Sequence, residues 1–450
     1  MRIRFWATGL VATMGALLAA CGGGSASGSG TTVNWWTWDD KQAAAYQQCA
    51  SAFEKANPGT TVKITQYNVD DYFTKLTAGF VAGTAPDAFQ NSVQYFQAYA
   101  SQHQLLPLDD LIARDGFDLG KYSVGVDSWK FTDGKQYALP LDWATAGLYY
   151  STDAITKAGY TPADVAKLTW NPDDGGTFGA MAAHLTVDRN GVRGDQPGFD
   201  KDAVATYGVG QLASRDFIGQ TTWSSFAPTT GWRFGDKQQW PTKVNYDDPR
   251  FVKTAAWIRS LTDRGFSPKI GTFTTGGQAT ISDTDLLGSG KVAMETAGSW
   301  SAATFAKLPG VQVGLAPTVL GPSGKRAALS NSNGDTIWAG TKNPDLTWKW
   351  VSYLGSAECQ TAASASGSFF PSIPAAMDSA ASAMRGQGVD LSVFTTMLKD
   401  GTLYPAAVYG NGAALEEAER PLFEAYFGHQ RDDDVFAEMA EKSEQVLAKQ

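Results

Sequence analysis

Apolar and polar residues alternate from Val33 to Trp38, as along a strand, with Trp36 and Trp38 on one face and Trp35 on the other. Asp39-Asp40 follow at a loop or helix start. From Gln42 to Ala56 the period changes, and Tyr46, Ala50 and Phe53 recur at helical spacing until Asn57-Pro58-Gly59 stops the run. Val62 and Ile64 mark a second strand. Phe73, Leu76, Thr77 and Phe80 stripe a second helix, with Asp70 as its predicted cap and Gly83 as its stop. A short strand then enters a loop at Gln90-Asn91. Strand, helix, strand, helix, strand implies an α/β fold on a parallel sheet, whose ligands sit beyond the carboxyl ends of the strands. Trp38-Asp39 and Gln90-Asn91 fall at such ends.

The same alternation continues along the chain. Phe131 to Tyr137 reads as a hairpin about Asp133-Gly134, and Ala138 to Tyr150 as a long strand whose Pro140 and Gly147 suggest bends, as in a segment crossing between two lobes. Helices are predicted over Thr177 to Leu185 and along Phe251, Ala255, Ile258 and Leu261, and strands at Val292 to Glu295 and Val311 to Leu315. Asn331 to Asp335 reads as a polar turn feeding a strand, Thr336 to Ala339. Leu346, Trp350 and Tyr353 stripe a helix, which makes Trp350 core. Trp223, Phe226, Trp232 and Trp240 instead lie among Thr, Ser, Pro and Gly, a setting that suggests a stacking surface. Two acidic helices, about 414–427 and 434–449, end the chain.

The amino terminus has its own pattern. Arg2 and Arg4 precede an uncharged run, Phe5 to Ala20, which ends in Leu18-Ala19-Ala20-Cys21 and is followed by a Gly/Ser tract to Gly30. The run is shorter than the about 20 apolar residues that favour spanning a bilayer. It resembles a bacterial lipoprotein signal, which implies a signal peptide over 1–20, lipidation at Cys21 and a flexible tether over 21–32. The folded part would then sit outside the cytoplasm, held to the membrane by lipid.

Charge narrows the partners. The chain has 36 Lys and Arg against 45 Asp and Glu, a net −9 with no basic run, which argues against nucleic acid. Cys49 and Cys359 lie in the exported part and are compatible with a disulfide or with two buried thiols. His103, His184 and His429 form no HExxH or triad-like motif, and neither a Walker A nor a GxSxG sequence occurs. Asp188-Arg189-Asn190-Gly191 resembles part of a calcium loop without its glutamate and reads as a turn, so neither metal nor cofactor is predicted.

The order of several short stretches resembles the family 1 extracellular solute-binding proteins, the maltose-binding-protein-like components of ABC importers. These are the lipobox, Trp35-Trp36-Thr37-Trp38, Phe53 to Gly59, Ala82 to Asp87, Asp133 to Pro140, Gly147 to Asp153 and Gly290 to Met294. The resemblance implies two α/β lobes joined by crossing segments, one of about 31–144 plus 313–360 and the other of about 145–312 plus 361–450, with a sugar in the cleft between them. Cys49 and Cys359 then share a lobe, which favours their pairing. It also implies ligand-lining positions at Trp36, Asp39, Asp40, Gln90, Asn91, Asp142, Trp143, Trp223, Trp300, Asn333 and Asp335, and more weakly at Phe369 and Tyr409. Many relatives have a Gly-Gly turn where this chain reads Asn333-Gly334-Asp335, so contacts there can differ.

A pyranose presents an apolar face of C–H groups and a rim of hydroxyls. Indoles suit the first, and Asp, Asn and Gln suit the second. Trp143, Trp223 and Trp300 are therefore expected to stack, and Asp39, Asp142, Asn91 and Asp335 to bind hydroxyls. The expectation is a monomeric binding protein that closes on a mono- or oligosaccharide and hands it to ABC permease subunits. The competing readings are a secreted glycoside hydrolase, since tryptophans and paired carboxylates also line those clefts, and a binding protein for a polyol or phosphodiester.

Overall fold

The computed structural model describes residues 31–213, 218–275, 278–279, 281–364 and 370–449. The leader, Cys21, most of the tether and Phe369 lie outside the described residues.

The chain opens as its periodicity predicts. Strand β1 (Thr31–Thr37) leads into helix α1 (Asp40–Ala56), strand β2 (Thr60–Gln66), helix α2 (Val69–Ala82) and strand β3 (Ala88–Ser92). Asp39 caps α1, its Oδ1 accepting from the Gln42 N–H at 2.8 Å, an arrangement worth about 0.5–2 kcal/mol. The cap of α2 is Asn68, not Asp70, because the helix begins at Val69, two residues before a cap at Asp70 would start it, and Asn68 Oδ1 accepts from the Asp71 N–H.

The first lobe is built on a seven-stranded sheet. Its order is β13 (Phe370–Pro371), β4 (Ala138–Ala144), β12 (Ala328–Ile337), β3, β1, β2, with β14 (Leu403–Pro405) beside β12. Strands β1, β2 and β3 are parallel, while β12 runs antiparallel to β3 and β4. Helix α1 and the helices Pro344–Leu354 and Ala357–Ser364 cover one face with Tyr46, Phe53, Trp350 and Val351. Cys49 and Cys359 are joined there by a disulfide across a sequence separation of 310. The other face packs Tyr72, Phe89, Phe96 and Trp129.

The second lobe carries a five-stranded sheet of order β11 (Val313–Ala316), β5 (Ala146–Ser151), β10 (Val292–Gly298), β7 (Val204–Val209), β6 (Val187–Asp188). A small hairpin pairs β8 (Thr274–Thr275) with β9 (Gln278–Ala279). Among the described residues no helix is long and apolar enough to cross a membrane.

The long predicted strand from Ala138 breaks at Thr145: β4 belongs to the first sheet and β5 to the second. The break is pinned on both sides. The Thr145 N–H donates to Ser299 Oγ, the Ser299 N–H donates back to the Thr145 carbonyl, and Thr145 Oγ1 donates to the Leu329 carbonyl. Two expected boundaries shift. Val313–Ala316 pairs with β5 and so lies in the second lobe rather than opening the return to the first. Phe370–Pro371 and Leu403–Pro405 pair with β4 and β12, so parts of 361–450 extend the first sheet. Which sheet takes an edge strand depends on its backbone partner, and side-chain alternation does not encode that choice.

The Asn331 to Asp335 stretch is not a turn. It is the middle of the ten-residue strand β12. A strand accepts so many polar residues here because their side chains find partners inside the protein.

Candidate functional site

The carboxyl ends of the parallel strands of both sheets bring together Thr37 to Lys41 from β1 and α1, Gln90-Asn91 from β3, and Gly298 to Thr304 after β10. Lys41 Nζ donates to Thr304 Oγ1 at 3.3 Å, so the start of α1 and the turn after β10 face each other across the lobes. Trp300 stands on that turn and is 39% exposed, one of three exposed large apolar side chains among the described residues; the other two, Val69 and Val81, are on α2. Trp38 is half-buried on the opposite side, edge-on to Tyr72 at 5.2 Å.

Beneath the first-lobe rim runs a chain of buried side-chain hydrogen bonds. Thr37 Oγ1 donates to Gln90 Oε1 at 2.5 Å, and Gln90 Nε2 donates to Gln42 Oε1 at 2.7 Å. Gln42 Nε2 then donates to Asp142 Oδ2 at 2.9 Å, and Asn333 Nδ2 donates to Asp142 Oδ1 at 2.7 Å. Asn331 extends the line toward the second lobe, donating to Gln220 Oε1, while Gln220 Nε2 donates to the Ala144 carbonyl. Asp335 accepts from the Trp35 indole N–H at 2.8 Å.

Burial governs the acids. It pushes the Asp142 carboxyl up to about 7, against the hydrogen bonds from Asn333 and Gln42 that favour the charged form. Asp335 is pushed up to about 8 by burial, with the Trp35 indole opposing the rise. Asp39 is raised by burial, opposed by the Gln42 backbone N–H. A second-lobe acid on β10, Glu295, is driven well above the carboxylate range by burial and by Asp283, and its Oε2 has no hydrogen-bond partner.

The predicted residues fall into three groups. Trp36, Asp39, Asp40 and Trp300 lie on or near the rim: Trp36 is half-buried against Tyr67 at 4.8 Å, and Asp40 is exposed on the first turn of α1. Gln90, Asp142, Asn333 and Asp335 lie beneath the rim. Both Asp142 oxygens accept from protein amides, and Asp335 accepts from an indole. Asn91 is buried, with its Oδ1 on the Ser92 N–H and its Nδ2 unpartnered.

Trp143, Trp223 and Tyr409 form the third group. Trp143 is fully buried and stacked on Phe370 at 4.7 Å. Trp223 is 2% exposed in the aromatic interior of the second lobe, edge-on to Phe251 at 5.2 Å and Trp232 at 5.6 Å. Both indoles pack against protein rings, and Trp223 also lines a cavity of about 400 Å³. Tyr409 is buried near Phe234 and borders the same cavity. Gln42 went unnoticed in the sequence, although its spacing offered a signal: it heads the buried stripe Gln42, Tyr46, Cys49, Phe53 of α1, where an amide has to find an internal partner.

Residues 48–387 match the bacterial extracellular solute-binding protein family. The chain belongs to this family. The crystal structure of M. tuberculosis UspC is similar with a TM-score of 0.72 at 25% identity, over 92% of this chain and 100% of that one. An ABC substrate-binding protein from Listeria monocytogenes in complex with cycloalternan has a TM-score of 0.75 at 20% identity, over 93% and 98%. The maltodextrin-binding protein MdxE of Bacillus subtilis is 26% identical over 346 residues, 75% of this chain and 72% of that protein. The fold is thus the two-lobed one of periplasmic-binding-protein-like sugar-binding proteins, and the family is extracellular and takes part in ABC transport. This solute-binding protein differs from the Gly-Gly pattern expected at the β12 strand in a definite way. Asn333 serves Asp142, and Gly334 lies at a bulge where a Cβ would come within 2.7 Å of the Trp129 ring.

Proposed function

We propose that the protein is an extracytoplasmic lipoprotein, anchored through Cys21, that captures a neutral mono- or oligosaccharide between its lobes and delivers it to an ABC permease. The observation that carries this reading is Trp300: a large indole left open to solvent at the carboxyl end of β10, facing the polar start of α1 across the Lys41–Thr304 contact. An exposed indole gives a sugar's C–H face a flat apolar partner, and Asp39 and Asp40 supply acceptors for hydroxyls. The sugars named for the Listeria and Bacillus relatives support the same ligand class. Closure selects the ligand because buried polar groups left unpaired by a wrong solute cost about 1–3 kcal/mol each.

No chemical step is assigned to the cleft. The two acids raised toward neutrality, Asp142 and Asp335, each accept from a protein donor beneath the rim, which supports binding over hydrolysis. A thermal-shift screen of the mature protein against neutral saccharides tests the reading. A few sugars should raise the melting temperature by mass action, and chromatography after long incubation should find them intact. Absence of any saccharide response, or release of shorter sugars, overturns it. The anchor is tested separately: Cys21→Ala should move the protein from the membrane fraction to the medium.

A further inference from the structure

Trp240 belongs neither to the polar line below the cleft nor to the aromatic interior of its own lobe, and its backbone is unusual. Its φ is +55°, a left-handed conformation that a bulky residue keeps only where its surroundings impose it. Those surroundings are a finger of the second lobe, Gly235 to Lys243. The root of the finger is fixed in the second-lobe interior, where Trp232, Val244 and Tyr246 are buried and the Trp232 indole N–H donates to the Asn245 carbonyl at 2.6 Å. Asp236 draws its base together: Oδ1 accepts from the N–H groups of Thr242 and Lys243, and Oδ2 from Thr242 Oγ1.

The tip of the finger rests on the first lobe. Trp240 stands edge-on to Phe131 at 5.4 Å, half-buried at the fringe of the core around Trp129 and Tyr137. Gln239 Nε2 donates to the Asp127 carbonyl at 3.1 Å. Between root and tip the finger lies along 405–408, the segment that leaves the first sheet for the second lobe. There the Trp240 N–H donates to the Val408 carbonyl at 2.7 Å, and Gln238 Nε2 donates to the carbonyls of Pro405 and Ala406. Phe234 and Gln238 also line the cavity of about 400 Å³, together with Leu329 and Tyr404.

A finger rooted in one lobe and seated on the other holds only while the lobes keep their relation, the one in which Lys41 also meets Thr304. A contact made in one arrangement and lost in another shifts the balance between them by its free energy, and apparent affinity scales with the share of protein already in the competent arrangement.

We propose that this finger is a clasp between the lobes: Gln239 and Trp240 hold the arrangement in which Lys41 meets Thr304, and so set how much of the ligand-free protein is already closed. Both act through the lobe arrangement, as positioning residues. The inference rests on the reading of the inter-lobe cleft as the binding site and not on which solute fills it.

Electron–electron double resonance on the ligand-free mature protein tests the clasp. The protein carries Cys21→Ala, with nitroxide labels at Thr74→Cys on α2 and Lys307→Cys beyond the Trp300 turn, both exposed positions. The parent should show one dominant spacing. Trp240→Ala should raise the share of a longer spacing about tenfold, and Gln239→Ala, at an exposed side chain, should act in the same direction by less. Trp240→Phe, which keeps a ring for Phe131, should stay close to the parent. A lowered melting temperature with unchanged spacing would make the finger a stability contact only and overturns the proposal. Should Trp240→Ala fail to fold, unchanged spacing in Gln239→Ala overturns it equally. No saccharide is present in the experiment, so either result leaves the sugar reading to the thermal-shift screen.

Discussion

Two patches of the interior, one around Asp142 in the first lobe and one around Trp223 in the second, are equally shut off from water and are held by opposite means. Around Asp142 the contacts are directional: two amides converge on one carboxyl, and the Gln42 amide is held in turn by Gln90. Around Trp223 they are apolar and ring-on-ring, with Trp232, Tyr246, Phe251 and Phe423 all within 6.2 Å between centroids. Such pairs add about 0.5–1.5 kcal/mol each beyond their buried area. The polar patch lies under the rim that faces the other lobe, and the aromatic patch backs a cavity that Trp223 and Trp232 line together with Leu329 and Tyr404. Amides and carboxyls fix orientation, and packed rings supply cohesion.

That contrast can be broken at its apolar end. Trp223→Ala should cost about 3–5 kcal/mol of stability in urea unfolding, since the surrounding rings cannot collapse into the space. It should leave sugar affinity within a few-fold, and a large affinity loss with little loss of stability would return Trp223 to the cleft. Next in size, Cys49→Ser with Cys359→Ser should lower stability by about 2–4 kcal/mol, because the bond closes a loop across 310 positions of sequence.

The polar end is read by pH. Asp142 and Asp335 titrate at about 7 and about 8 in the folded protein, and Glu419 of the second lobe, held by Ser443 and Tyr246, at about 8. All three lie above their unfolded values, so between about pH 4 and 8 the folded state binds more protons than the unfolded one. Stability is then highest near the acid end of that window and falls as pH rises through 7 to 8. Asp142→Asn should flatten this decline, measured as melting temperature against pH, whereas a decline of unchanged slope would mean that Asp142 is ionised in the fold. Smallest in stability, Trp300→Ala should change unfolding by no more than about 0.5 kcal/mol. It should nevertheless weaken sugar binding about tenfold, equivalent to about 1.4 kcal/mol. Unchanged affinity would remove the indole from the site.

Local pattern sufficed for much of this molecule. The alternation at Val33 to Trp38, the stripe of α1, the stop at Gly83 and the buried Trp350 follow from side-chain periods and turn residues that act within a few positions of each other. The open place of Trp300 follows from the same kind of signal, because its Gly-Ser-Trp-Ser setting is a short turn in the fold.

Other features depended on partners far along the chain. The Ser and Thr residues around Trp223 suggested a stacking surface, but Thr229 Oγ1 donates to the Phe226 carbonyl and Thr230 Oγ1 to that of Ala227, leaving the rings free to sink into the core. Asn333 looked like a turn residue until Asp142, 191 positions away, gave its amide a buried acceptor. The amino-acid sequence by itself determined the elements, the α/β class and the family, since these rest on short-range periodicity and on ordered motifs. Only the tertiary structure decided which tryptophan stays open to solvent and which acids are buried, because burial and hydrogen-bond partnership belong to residue pairs that the chain brings together only on folding.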